Sequence, residues 1–346
     1  MMSNKTTVIA GRAFGKTNKI TALTFANWLN AMPRGVLRLA CYTYEGLKKN
    51  VLPGIIQGWE SLGYQEGVHF WVEKEPPSLF KIPRPFRDPK GNPKYKITWW
   101  NGAVVLLSSM DRAINNGGEY DAIGFEEVKF MERKPVKEIL LAKRGNDRKF
   151  GHLSQHGGVL MVTDRPEVHD PGRWVLDEAK NVTKELNVKI YEVAAYLAKL
   201  HSDIDAAQRE GNDRKMSKLN RDLARFGKYL TELRKHSVNY IEASTLENIH
   251  ALGIKKIMDY YRDLDPYEYA VSVLNQDPGY VPNGFYSRYD PKLHGYRNIN
   301  YSYIDNLDTK DKAAIKRNCL WDNDAVPDAP LYVACDHNNA VNNIVT

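Results

Sequence analysis

Short apolar runs alternate with amphipathic stretches through the first half of the chain. Residues 6–10 (TTVIA) read as a buried strand and residues 11–15 (GRAFG) as a turn. The apolar spacing predicts a helix over 16–31, ended by the Met32-Pro33-Arg34-Gly35 turn. Residues 36–42 (VLRLACY) read as a second strand. Thr43 is placed to cap the next helix, on which Leu47, Val51, Ile55 and Trp59 share one face. Residues 73–95 are rich in proline and charge and read as an irregular excursion. Residues 96–109 (KITWWNGAVVLLSS) read as two strands joined through Asn101-Gly102, a favoured hairpin turn. Two further apolar strands, within YDAIGFEEV and GGVLMVTD, end in acids. The pattern predicts an α/β fold: an open, largely parallel sheet, helices on both faces, and a site at its carboxyl edge.

The middle of the chain changes period. Residues 174–236 are highly charged and mostly lack proline and glycine, which predicts a helical hairpin turning near Gly211-Asn212. Its second helix carries Leu219, Leu223, Phe226, Leu230 and Leu233 on one stripe. The Lys/Arg run beside that stripe reads as a solvated face. A strand and helices follow over 240–275, then a loop or linker over 278–305. The tail, APLYVACDHNNAVNNIVT, reads as one apolar strand opening a new unit.

Composition narrows this little. A chain of 346 residues has room for two domains, and 42% hydrophobic residues supply a packed core. A net charge of +7 is compatible with a nucleic-acid partner without demanding one. Three cysteines with no C-x-x-C pair argue against a disulfide framework or zinc ribbon and suit a reducing compartment. No apolar run approaches the length of a membrane span, and the first residues do not form a signal peptide.

The candidate chemistry begins at Ala10. The phosphate-loop pattern G-x-x-x-x-G-K-[ST] is met at its last three positions by Gly15, Lys16 and Thr17, while Ala10 replaces the first glycine and Gly11 stands beside it. Loop amides and a helix N-terminus can face phosphates, Lys16 can supply positive charge and the Thr17 hydroxyl can ligand Mg²⁺. The alternative is a glycine turn with an incidental Gly-Lys-Thr. Glu126 and Glu127 end an apolar strand, either as an Mg²⁺ ligand and a water-orienting base or as a strand end emerging into solvent. Thr163 and Asp164 end a strand placed to lie beside that of the loop. Arg12 either reaches phosphates or faces solvent.

These residues together resemble a family. AGRAFGKT, DAIGFEEVKFM and GVLMVTDRP, in this order, are similar to the ATPase domain of the large terminase subunit of tailed bacteriophages. Arg12 inside the loop is typical of that family. The resemblance implies a P-loop NTPase with ATP and Mg²⁺ as cofactors. Gly11, Arg12, Gly15, Lys16, Thr17 and Thr163 would contact the nucleotide or couple its hydrolysis. Thr17 and Glu126 would hold Mg²⁺, with Glu126 standing where the family has aspartate. Glu127, Lys16 and Arg12 would be catalytic; Arg144, Arg148 and Arg165 are candidates for an arginine acting on a neighbouring subunit. The implied organisation is an ATPase domain over 1–285 that includes the hairpin, a linker over 286–328, and the start of a truncated RNase H-like nuclease domain over 329–346. Asp336 would be a nuclease metal ligand, but the sequence ends ten residues later, so no nuclease activity is expected. The implied partners are double-stranded DNA, a portal protein, a small terminase subunit and further copies in a ring. The implied setting is the host cytoplasm, transiently at the procapsid portal, with no membrane contact. A helicase or other nucleic-acid-dependent ATPase, and a non-catalytic adaptor with a degenerate loop, are the alternative readings.

Overall fold

A computed structural model describes residues 3–87, 93–110 and 118–277, and the backbone of 334–337 and 342–345. The apolar runs become β1 (Lys5–Ala10), β2 (Val36–Cys41), β3 (Phe70–Val72), β4 (Lys96–Trp99), β5 (Val104–Ser109), β6 (Ala122–Glu126), β7 (Gly158–Thr163) and β8 (Val238–Ala243). They form one sheet in the order β3-β4-β5-β2-β6-β7-β1-β8. The pairings from β5 to β8 are parallel; β3, β4 and β5 pair antiparallel, the last two through the expected Asn101-Gly102 turn. The three-residue β3 adds an edge strand that the sequence pattern is too short to reveal.

The central strands are buried on both faces, as a parallel sheet covered by helices requires. Val8, Leu37, Leu39, Leu160 and Val162 join Phe25, Trp28, Leu29 and Trp59 in one core. Their alternate neighbours Ile9, Val36, Ile123, Phe125, Val159 and Met161 join Met131, Val136, Ile139 and Val175 in the other. The period of two along each strand therefore produces the helices on both faces.

The helix after β1 starts as a π-helical stretch, Lys16–Thr21, and continues as an α-helix, Ala22–Ala31. Thr43 caps the next helical run, accepting from the Gly46 N–H at 3.1 Å. There another π segment, Leu47–Val51, gives way to an α-helix, Leu52–Ser61. Pro53, which lacks an N–H, falls at that change of register. Gly58 lets the two helices touch: a Cβ there would lie 2.3 Å from the Asn18 carbonyl oxygen.

The expected hairpin forms from helices Lys184–Arg209 and Asp213–Lys235, with Gly211 at φ 64° in the turn and Asn212 as N-cap. Ile190, Val193 and Leu230 are its buried seam. Among the described residues no helix is long and apolar enough to cross a membrane. The chain divides into two units, Met1–Pro278 and Gly279–Thr346. In the second, strands Ala334–His337 and Asn342–Val345 pair antiparallel, with Asp336 opposite Asn343. The linker expected over 286–328, and the side chain of Asp336, lie outside the described residues.

Candidate functional site

The site gathers at the carboxyl ends of β1, β7 and β6. The acids of β6 stand next but one to the loop strand, because β7 pairs with both. After Ala10 the chain turns through Ala13 at φ 58° and Gly15 at φ 92°. Gly15 is the residue type that such a backbone favours. Gly11 has a different reason. A Cβ there would lie 2.3 Å from the Thr245 hydroxyl and 2.6 Å from the Val273 carbonyl oxygen.

The end of β8 and segments beyond it clasp the loop. The Gly11 N–H donates to the Ala243 carbonyl and the Arg12 N–H to that of Ser272, at 3.0 and 2.7 Å. The Thr245 hydroxyl donates to the Arg12 carbonyl at 2.7 Å, and the Asn248 amide to that of Ala13 at 3.0 Å. Arg12 points outward, 3.4 Å from Glu268. With the Phe14 N–H on the Gly11 carbonyl at 3.3 Å, three loop amides are thus occupied by protein carbonyls. The amides opening the following helical stretch, from Lys16 on, are those a helix start leaves without intrahelical partners.

Lys16 folds back over the loop. Its ammonium donates to the Ala10 and Gly11 carbonyls at 2.7 and 2.9 Å and pairs with Asp164. Asp164 also faces Lys129, at 3.4 Å. Burial alone would raise the Asp164 pKa, but the two ammonium groups hold it below the usual carboxylate range. Asp164 ranks with the loop as a site residue. Its position at a strand end was legible; its pairing with Lys16 was not.

Glu126 is buried, and among the described residues its carboxyl has one hydrogen bond, from the Thr21 hydroxyl. Local geometry explains that pairing. Gly124, two residues earlier on the same strand face, lets the Phe25 ring lie where a Cβ would sit, 2.5 Å from the nearest ring carbon. One helical turn back from Phe25 is Thr21; two residues on from Gly124 is Glu126. Four helical residues rise about 6 Å and two strand residues about 6.6 Å, so the two pairs stay in step along an antiparallel helix and strand. Thr17, expected beside Glu126 as an Mg²⁺ ligand, makes no such bond among the described residues; its methyl lies toward Gly54. Burial pushes the Glu126 carboxyl up to about 8, against the pull of the Thr21 hydroxyl and with the help of the Glu127 charge.

Glu127 follows at φ 58°, ψ 45°, a left-handed backbone uncommon for a residue with a side chain. That turn ends the strand before Glu127 rather than after it. Burial and the Asp164 charge raise its pKa against Lys129, Lys16 and Arg12. Thr163 is buried, and its hydroxyl accepts from the Lys129 N–H at 3.1 Å, tying the turn after β6 to the end of β7. Arg144 pairs with Glu119 at 3.7 Å, and Arg165 with Glu242 at 3.3 Å. A cavity of about 270 Å³ opens beside this turn, lined by Cys41, Tyr42, Asn50, Glu127, Lys129 and Asp164. Burial pushes the Cys41 thiol up to about 12, which keeps it protonated and unreactive.

Among the described residues no group of three or more His, Cys, Asp or Glu side chains is arranged to hold a metal unaided. A magnesium ion here would share its ligands with substrate phosphates, which is how Mg²⁺ is usually bound. A buried carboxyl with one hydrogen-bond donor and a threonine at the helix start fit that arrangement.

No protein-family profile matches the chain, and no curated protein matches its sequence. Solved structures do resemble its fold. The large terminase of a thermophilic bacteriophage matches at 12% identity and a TM-score of 0.44, over 78% of this chain and 48% of that one. The same terminase in complex with ADP matches at 13% identity and a TM-score of 0.43, over 79% and 48%. A Thermus phage large terminase ATPase domain matches at 11% identity and a TM-score of 0.41, over 80% and 89%. The chain spans about half the length of the first two.

Proposed function

We propose that the chain is an ATP-hydrolysing motor subunit that drives double-stranded viral DNA into a capsid. The observation that supports the ATPase reading is the convergence of Lys16, Glu126, Glu127 and Asp164 beside the loop and the helix it opens. In this reading Lys16 leaves Asp164 for the β- and γ-phosphates, and the amides from Gly15 to Thr17 receive phosphate oxygens. Thr17, and Glu126 through water, are the residues that would hold Mg²⁺; the ion would neutralise charge on the phosphates. Glu127 orients the attacking water, and the burial that raises its proton affinity makes it a better base. Arg12 exchanges Glu268 for phosphate. Thr163 carries any shift of the Glu127 turn to β7, the strand beside the loop. The DNA-packaging part rests on the resemblance of the loop, acid and Thr-Asp motifs. Portal protein, small terminase subunit and a homo-oligomeric ring are its proposed partners, with action in the host cytoplasm.

The test is ATP turnover by the full chain with Mg²⁺, with and without duplex DNA. Lys16→Ala and Glu127→Gln are each expected to lower it by about 100-fold or more. Turnover unchanged in both variants would sink the ATPase assignment. ATP binding without turnover in the unmodified chain would favour the non-catalytic adaptor.

A further inference from the structure

The two helices of the hairpin differ in charge. Helix Lys184–Arg209 carries equal numbers of basic and acidic residues, whereas helix Asp213–Lys235 has a marked basic excess. On the second helix Arg214, Lys218, Arg221, Arg225 and Lys228 recur at steps of four and three residues, and all are exposed. At about 100° per residue they fall within an arc of about 80°, on the side away from the Phe226, Leu230 and Leu233 seam. Among the described residues none of them makes an ion pair, although Lys215 and Lys235 on the same helix pair with Glu210 and Glu232. The one acid within the span, Asp222, sits to the side and is half-buried; Glu232 closes the line at its far end. A solvated helix face normally mixes both signs. Five aligned cations without counter-charges repel one another, and a long anion would relieve that.

We propose that this line of arginines and lysines is a docking ridge for the phosphate backbone of duplex DNA, a site that deepens the DNA-handling reading above. The line is about 21 Å long, and that length of duplex presents about six phosphates on one strand. Recognition runs through backbone charge and is indifferent to sequence.

The experiment is fluorescence anisotropy of a short mixed-sequence duplex with the full chain, without nucleotide, from about 50 to about 200 mM salt. Five phosphate contacts give a slope of log K against log salt of about −4.5, a loss of about 500-fold across that range. The triple variant Arg221→Gln, Arg225→Gln, Lys228→Gln is expected to make the slope shallower by about 2.7. A charge-matched control, Lys184→Gln, Lys189→Gln, Lys199→Gln on the other helix, is expected to keep the slope. Any one of three results overturns the ridge: no duplex binding at low salt, equal slopes in the triple variant and the unmodified chain, or an equal loss in the control. Poly-glutamate binding as tight as the duplex would also overturn it, in favour of an acidic protein partner. The substituted side chains are exposed, and an unchanged melting temperature verifies the fold. DNA-free ATP turnover, measured beside it, is expected to be unaltered in the triple variant. Its absence from the unmodified chain would count against the ATPase reading and leave the ridge standing.

Discussion

Asp121 and Glu126 are buried acids at opposite ends of β6, and the protein treats them in opposite ways. Asp121, just before the strand, accepts from the Val36 N–H at 2.7 Å, the Asn146 N–H at 2.6 Å and the Asn146 side-chain amide at 3.0 Å. His156 Nε2 lies 3.6 Å away. Burial by itself would raise the Asp121 pKa, but these donors outweigh it and hold the carboxyl below its ordinary range. Glu126, at the strand's last position, has the Thr21 hydroxyl and is pushed up to about 8. An acid that holds the fold together is supplied with donors by the fold. An acid left with one donor at the sheet's carboxyl edge is, in the proposed function, matched to a cation that arrives with a ligand.

Removing the satisfied acid tests the first half of that contrast and has the largest expected effect. Asp121→Ala leaves the buried Val36 N–H and the half-buried Asn146 N–H without an acceptor. At about 1–3 kcal/mol for each unsatisfied group, urea unfolding is expected to show a loss of about 3 kcal/mol or more. A loss under about 1 kcal/mol would mean that water replaces the carboxylate and that the two ends of β6 do not differ as described.

The two acids also carry opposite pH signatures. The lowered Asp121 contributes stability that is present above the ordinary carboxylate pKa and is lost as pH falls through its own. The raised Glu126 contributes stability that is present below the ordinary value and is lost as pH rises through about 8. Between those limits the nucleotide-free protein is expected to lose stability relative to Glu126→Gln, with a slope approaching 1.4 kcal/mol per pH unit. Parallel unfolding profiles of the two proteins from about pH 5 to about pH 8 would show that Glu126 is ionised and satisfied after all.

The sheet was legible in the sequence because its strands are buried on both faces and bounded by glycine, proline and acids. The turn before the first helix was legible because Gly15 stands between the apolar strand and the helical spacing, where the backbone turns left-handed. What stayed hidden depends on contacts between distant segments. Asp164 reaches Lys16 across 148 positions, and Thr245 reaches the Arg12 carbonyl across 233. Neither has a local signature. The choice of Thr21 over Thr17 as partner of Glu126 follows from a π segment and from the seating of Phe25 on Gly124, which apolar spacing does not encode. The hairpin was legible as two helices and its charged face as solvated; that five of its cations share one arc without an ion pair among the described residues shows only once exposure and pairing are known.

The smallest expected effect isolates the single bond that Glu126 has. Thr21→Val removes the hydroxyl and keeps the β-branched shape in a buried position, so the packing of the π segment is retained. That hydroxyl donates to the carboxylate and so favours its ionised form. Without it the Glu126 pKa moves further up, and the pH at which stability is lost moves up with it. A bond worth about 0.5–1.5 kcal/mol corresponds to a displacement of about one pH unit or less. Glu126→Gln already lacks the titration, so adding Thr21→Val to it is expected to leave the shape of its pH profile unchanged. A midpoint displaced in the single variant and absent from the double one assigns the effect to the Thr21–Glu126 bond. A uniform drop in stability at every pH would instead make Thr21 a packing residue and leave Glu126 with no donor that matters, which sharpens the contrast with Asp121.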